Sequence, residues 1–339
     1  MRLLAVGVAL AAPLPATAED RAIWTLDVEN DFFSQWSNSD RDYTNGLKLT
    51  WTSNRIEDLS KVPEWAIGLA DWPSILGGPP PDNAERRVSL ALGQSLFTPN
   101  DKASTTPVTN DRPYAGWLYG AFSLQTTHRV GKEPVRQDTV QLELGIVGPG
   151  ALGRATQNNF HELIGADHAM GWSNQLRNEP GANLVLEQRY RMGKESLPVI
   201  GLDGDVIPYF GASLGNVSTY AGVGATLRIG EDLRRDFGPP RIRPSLPGSE
   251  IFAADDGFGW YLFAGAGAMA VAHNIFLDGN TFHDSQSVTR EIMVGDFQLG
   301  YAVFWNNIRL TYTHVIRSPE FREQARPHQF GAISLSIGF

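Results

Sequence analysis

Apolar and polar residues alternate along much of this chain with a period of two. In the C-terminal segment, Ile333, Leu335, Ile337 and Phe339 fall on one face, and Ala332, Ser334, Ser336 and Gly338 on the other. Successive side chains of a strand point to opposite faces, so this spacing predicts a β-strand with one apolar surface. The pattern recurs: Val140, Leu142, Leu144 and Ile146 oppose Thr139, Gln141, Glu143 and Gly145. Ile308, Leu310 and Tyr312 likewise oppose Arg309, Thr311 and Thr313. Counted this way, strands are predicted near 22–29, 44–53, 87–97, 115–128, 136–147, 182–193, 204–215, 219–229, 258–272, 288–301, 305–316 and 328–339. That is an even set of about twelve, as a closed single-chain membrane barrel requires.

In such a barrel the apolar set faces lipid and the polar set faces the interior. Glu143, Arg309 and Gln141 then predict a lumen packed by hydrogen-bonded side chains or water. The terminal strand ending in Phe339 is similar to the assembly signal of bacterial outer-membrane barrels. The predicted fold is all-β: a single antiparallel transmembrane barrel of about twelve strands, with a short helix in an external loop.

Strand parity assigns each connection to an end. With both termini in the periplasm, 30–43, 98–114, 148–181, 216–218, 273–287 and 317–327 face outside. The periplasmic connections 54–86 and 230–257 are long and Pro-rich, whereas such turns are usually short. A small helix is expected around Glu64–Asp71, and chemistry in neither connection.

The N-terminus sharpens the compartment. Arg2, the apolar run Leu3 to Ala12 and the small residues Ala16-Thr17-Ala18 have the order of a secretory signal, too short to span a bilayer. Residues 1–18 are read as that signal and 19–339 as one barrel domain. Beyond it no stretch approaches the ~18 apolar residues of a transmembrane helix. Only 19% of residues are charged, while Gly (35), Trp (9), Tyr (9) and Phe (17) fit a barrel wall with aromatic belts. With no Cys, an exported chain must be held by its sheet rather than by disulfides. The net charge of −9 argues against nucleic acid as a partner, but not against an anionic lipid meeting a local basic cluster.

Three outward segments carry candidate chemistry. Glu29-Asn30-Asp31 ends the first strand and Asp42-Tyr43-Thr44-Asn45-Gly46 opens the second, so pairing brings Asn30 and Asp31 near Thr44. These residue types are also ordinary turn formers. Arg112 precedes the fourth strand, where its planar fork could match a lipid phosphate, and Trp117 and Tyr119 suit an interfacial girdle. In the third, Phe160, Leu163 and Ile164, closed by Gly165, predict a short helix that sets Gln157 and His161 on one face. A His on a helix inserted in an external loop serves no evident need of loop stability.

Two patterns mislead. Gly211-Ala212-Ser213-Leu214-Gly215 matches a serine-hydrolase motif, but strand residues continue through it instead of turning into a helix. His161 and His168 lack a third His nearby, so structural zinc is not expected.

The chain resembles the outer-membrane lipid A 3-O-deacylases of the LpxR type. The matching pieces are Asn30-Asp31, Asp42-Tyr43-Thr44-Asn45-Gly46, Gly145-Ile146-Val147-Gly148-Pro149, Gln157-Asn158 with His161, Ile164-Gly165-Ala166, and Ser318-Pro319-Glu320-Phe321-Arg322. They run in order over nearly all of 19–339. The resemblance implies a twelve-stranded barrel and a Ca²⁺-dependent esterase that removes the 3′-acyloxyacyl group of lipid A, with a His base and a metal-polarised carbonyl. By position, His161 would be the base, Asp31 a metal ligand, Asn30 and Thr44 ordering groups for metal, substrate or oxyanion, and Gln157 part of the site lining. Asp167 stands where the family has Glu, one methylene shorter; with Asp31 and Thr44 it completes the metal set expected here. Family members carry basic residues in the second external loop, for which Lys102 and Arg112 are the candidates toward the substrate phosphates.

The residue chemistry agrees with what the resemblance implies. Ca²⁺ prefers hard oxygen ligands, and a His near neutrality suits deprotonation of water. The expectation is therefore a monomeric, outer-membrane lipid A deacylase acting on lipopolysaccharide from the cell exterior. An outer-membrane phospholipase and a passive, porin-like barrel are the alternatives.

Overall fold

The computed structural model describes residues 21–33, 42–70, 84–131, 133–165, 167–197, 201–242, 249–254 and 257–339. Residues 1–18, read above as a signal, and the side chain of Thr44 lie outside that description.

Among these residues thirteen strands form one antiparallel sheet, and pairing of β6 with β8 closes it into a twelve-stranded barrel with one extra strand. In chain order they are β1 (Ile23–Asn30), β2 (Asp42–Thr52), β3 (Glu85–Thr98), β4 (Ala115–Val130), β5 (Glu133–Val147), β6 (Glu179–Tyr190), β7 (Met192–Leu197), β8 (Leu202–Gly215), β9 (Ser218–Glu231), β10 (Phe258–Asn274), β11 (Met293–Trp305), β12 (Ile308–Arg317) and β13 (His328–Gly338). The extra strand is β7, which pairs with the first residues of β8, where β6 no longer reaches. The C-terminal strand closes on the N-terminal one, from Ile23 opposite Gly338 to Asn30 opposite Gly331.

Two predicted strands are displaced. The expected 288–301 and 305–316 are Met293–Trp305 and Ile308–Arg317. The chain turns at Asn306-Asn307, with Asn306 left-handed at φ 52°, a conformation Asn tolerates better than the Ala302-Val303-Phe304 run that would otherwise have to turn.

Antiparallel order puts the β1–β2, β3–β4, β5–β6, β8–β9, β10–β11 and β12–β13 connections at one end, here the upper rim. The start of β1 and the end of β13 meet at the lower rim, where the Phe339 amide donates to the Ala22 carbonyl at 2.9 Å. Alternation decides what faces where. Thr25, Asp27 and Glu29 turn inward, while Trp24 and Leu26 are exposed on the outer wall with Leu47, Leu49, Leu90 and Leu92. Among the described residues no helix is long and apolar enough to cross a membrane; the outward belt of strand residues supplies the apolar surface.

The lumen is filled with ion pairs. Arg309 donates to Asp236 and Ser336, and Gln141, Glu143 and Asn183 form a hydrogen-bonded chain, as the alternation predicted. Arg228 bridges Asp205 and Asp236, and Lys48 lies 3.1 Å from Asp27 and 2.6 Å from Glu250. Asp236, Arg241 and Glu250 come from the long β9–β10 connection, which enters from the lower rim. Phe252 and Ala254 of that connection pack against Ile23, Tyr261 and Phe304 inside the barrel. Its length is thereby explained: it is an internal plug. Arg241 Nε and the Ile242 amide both donate to Glu29 Oε1, at 2.9 and 3.1 Å, so the plug reaches almost to the upper rim.

The other long connection carries α1 (Glu64–Ala70), where a helix was expected. Its Ala66 packs with Val62 and Leu124, and Trp65 meets Phe122 edge-on at 5.4 Å. Leu124 and Phe122 face outward, so α1 lies on the outer wall, over β4 and β5. Val140, beside Leu124 in the ladder, is buried there rather than facing lipid as expected. Trp117 and Tyr119 also differ from expectation. They share the inward parity of Ala121 and Ser123, are buried, and stack at 5.4 Å inside the barrel, so they form no interfacial girdle.

Candidate functional site

Above the lumen, the upper rim is capped by aromatic rings. Helix α3 (Ile275–Asp278) of the β10–β11 connection inserts Phe276, which stacks on Phe97 at 4.0 Å. Tyr43 fits against Phe97 and Phe330 at 5.4 and 5.2 Å. The candidate catalytic groups lie elsewhere, on the outward side of the wall.

That placement follows from parity. Asn30 continues the outward row of Leu26 and Val28, and pairs across the ladder with Asn45. Asp31 opens the 3₁₀ turn that follows. Both are buried. Thr44 sits in the bulge between Tyr43 and Asn45, one residue from Asn30's partner.

Helix α2 (Gly153–Ile164) lies over the neighbouring part of the rim. It ends at Gly165, left-handed at φ 71°, whose amide donates to the His161 carbonyl, which is the predicted glycine end. Trp172 anchors the region, buried in a cluster with Leu96, Tyr114 and Ala169. Leu96 is an outward residue of β3, and outward Gln94 donates to the Ala151 carbonyl at 2.6 Å. A Cβ on Gly153 would come within 2.5 Å of the Trp172 ring, so only glycine permits this docking.

Gln157 and His161 are both buried on one face of α2. Gln157 Oε1 accepts from Trp172 Nε1 at 2.7 Å. His161 Nδ1 faces the main-chain carbonyl of Asp167. A carbonyl only accepts, so Nδ1 carries the proton and Nε2 carries the lone pair. Burial lowers the His161 pKa and the charge of Lys102 lowers it further, against the opposing pull of the Asp167 carbonyl. The ring is therefore neutral at pH 7, the form a general base needs.

Lys102 joins the two halves of the site, being within electrostatic reach of both His161 and Asp31. Burial lowers its pKa to about 8, although Asp31 favours its charge. It is half-buried and belongs to the β3–β4 connection, whose Lys102 carbonyl accepts from the Met170 amide at 2.8 Å.

The other expected residues are placed differently. The Arg112 side chain is 1% exposed and donates to Glu320 Oε2 at 2.8 Å, with Phe97 and Phe321 against its guanidinium plane. It is an internal brace, not a group presented to a phosphate. Asp167 contributes its carbonyl to His161 while the residue as a whole is exposed. His168 pairs with Glu162 at the surface. Ser213 of the serine-hydrolase pattern lies inside the barrel and donates to the Ser218 carbonyl at 3.1 Å. Among the described residues no three His, Cys, Asp or Glu side chains cluster to hold a metal. A cation here would rest on Asp31 and Asn30, with backbone, water or substrate oxygens completing its shell.

Sequence reasoning missed Trp172 and gave Glu320 no role. The only signal for Glu320 was its place in the Ser318-Pro319-Glu320-Phe321-Arg322 segment.

The sequence family described as outer membrane protein LpxR matches residues 3–339. The chain belongs to the LpxR family. No curated protein matches it significantly. Among solved structures, LpxR from Salmonella typhimurium superposes with a TM-score of 0.71 at 20% identity, over 94% of this chain and 100% of that one. The β domain of the Bordetella autotransporter BrkA aligns over 94% of this chain and 100% of that one, with a TM-score of 0.43 and 12% identity. The first likeness shows the same barrel fold, and family membership makes this LpxR-type chain an outer-membrane protein.

Proposed function

We propose that this LpxR-family barrel is a calcium-dependent lipid A 3-O-deacylase, with its upper rim at the cell exterior. The observation that carries the reading is the side of the wall on which the site lies. Asn30 ends β1 on the outward face at the rim with Asp31 after it, and helix α2 with His161 and Gln157 lies over the neighbouring rim, above exposed Leu26, Leu47, Leu49 and Leu92 of β1, β2 and β3. A substrate reaching that face comes laterally from the bilayer, with acyl chains along the apolar wall and its ester at the polar boundary. Lipid A of the outer leaflet has that geometry; a solute crossing the plugged lumen does not.

The chemistry follows from the fixed tautomer. His161 Nε2 takes a proton from water as the water oxygen bonds to the acyl carbonyl carbon. Collapse of the tetrahedral intermediate breaks the bond to the sugar oxygen, which leaves with the proton returned by His161. Calcium, when bound, would draw charge from the carbonyl oxygen. The donors present fit that ion in kind: Asn30 and Asp31 offer hard oxygens, and the chain has no Cys thiolate to favour a softer metal. Asp31 supplies the carboxylate, and the Thr44 hydroxyl and Asp167 are the further candidate ligands. Lys102 supplies a cation toward the lipid A phosphates.

Mass spectrometry of lipid A exposed to the purified protein with calcium tests this. The expected product lacks the 3′-acyloxyacyl group. Unchanged lipid A, or acyl release from phosphatidylethanolamine instead, would overturn the assignment.

A further inference from the structure

We propose that Trp172 is a positioning residue that locks Gln157 as a hydrogen-bond donor to the carbonyl oxygen of the scissile ester. The inference rests on the deacylase reading and adds to it a residue and a role.

An indole N–H can only donate. The amide group facing Trp172 Nε1 at 2.7 Å must therefore be the oxygen of Gln157, which turns the Gln157 NH₂ group away from the tryptophan. Gln157 is 2% exposed, and its Nε2 has no hydrogen-bond partner among the described residues. A buried amide donor left without a partner is costly, because it has lost water and gained nothing in return. It therefore marks a place where a ligand atom belongs. That donor sits one helical turn from His161, on the same face of α2. A carbonyl oxygen accepts such a hydrogen bond, and accepts it more strongly once it carries charge in the tetrahedral intermediate.

The tryptophan is itself rigidly held. It is 1% exposed, tilted against Tyr114 at 5.0 Å and seated on Gly153. Without the indole N–H the amide could rotate by half a turn and present its oxygen to the substrate oxygen, a repulsive arrangement. One hydrogen bond of orientation corresponds to about a tenfold change in the donor-forward population.

The test compares wild type, Trp172→Phe, Gln157→Glu and the double variant. Folding is checked by heat-modifiable migration, and kcat and KM are measured on lipid A. Trp172→Phe is expected to lower kcat about tenfold with KM nearly unchanged. Gln157→Glu keeps an acceptor for the indole but removes the donor, and should cost on the order of 10²-fold in kcat. The decisive comparison is the double variant. A carboxylate has no donor end to orient, so Trp172→Phe should cost almost nothing further in that background. An equal loss in both backgrounds would show a packing role only and overturn the proposal. The indole ¹⁵N–H resonance that Trp172→Phe deletes should also shift in Gln157→Leu; an unmoved resonance would deny the hydrogen bond. An inactive wild type with that shift intact would overturn the deacylase reading and leave the amide orientation standing.

Discussion

His161 Nδ1 is tied to the main-chain carbonyl of Asp167, and this one contact decides which ring nitrogen can accept a proton. The partner is a backbone atom, so it cannot titrate. The tautomer is held over the whole working pH range, unlike a His oriented by a carboxylate.

The first prediction concerns pH. Burial and the nearby Lys102 charge lower the His161 pKa, so the base stays neutral to a lower pH than an ordinary His. Activity should fall on acidification, with a midpoint in kcat/KM below about 6.5. His161→Ala should lose about 10²–10⁴-fold while the barrel remains folded. An acidic limb centred above the ordinary His value would contradict this environment.

Arg112 should matter for stability rather than for substrate affinity. Burial alone would raise the Glu320 pKa, but the charges of Arg112 and Arg317 outweigh it and hold the carboxyl at about 2. Arg112→Ala leaves that carboxylate buried with half its compensation, a loss of about 3–5 kcal/mol. A lower urea midpoint for unfolding checks this. The sign with pH follows: a depressed pKa contributes stability above about 4.3, and that contribution is lost as pH falls through about 2. A raised KM with unchanged stability would instead restore a phosphate-binding role.

Gly153 offers a way to misplace the site without touching the barrel. A side chain there would meet the Trp172 ring at 2.5 Å and lift α2 from β3. Gly153→Val should fold, by heat-modifiable migration, yet lose activity on the order of 10²-fold, as expected when a catalytic group shifts by about 1 Å.

The filled lumen predicts electrical silence. Arg241, Glu250 and Phe252 of the plug are locked to Glu29, Lys48 and the wall residues Ile23 and Phe304. The wild type should show no step conductance in a planar bilayer, whereas deletion of 239–250 should produce one. Steady conductance of the intact protein would contradict a plugged interior.

The wall itself was readable because a two-residue period is a property of the strand alone. Ile333, Leu335 and Ile337 declare their face without reference to any neighbour. The residues that were misjudged depend on what lies against the wall. Val140 has lipid-facing parity, but α1 covers it; Trp117 and Tyr119 resemble belt residues but point inward. No local pattern reports a helix packed on the outside or a plug packed within.

The site was legible to the same extent. Gln157 and His161 share a face because they are four apart on a helix, and Asn30 meets Asn45 because β1 and β2 are adjacent. Arg112–Glu320 and Gln157–Trp172 join residues whose proximity only tertiary packing creates. An arginine before a strand looks the same in sequence whether it braces a loop or greets a phosphate.

The central claim is tested most directly by incubating purified protein with lipid A, with calcium or with chelator, and weighing the products. The account predicts loss of the 3′-acyloxyacyl group with calcium, and intact lipid A with chelator or with His161→Ala. Unchanged lipid A from folded wild-type protein with calcium would contradict it.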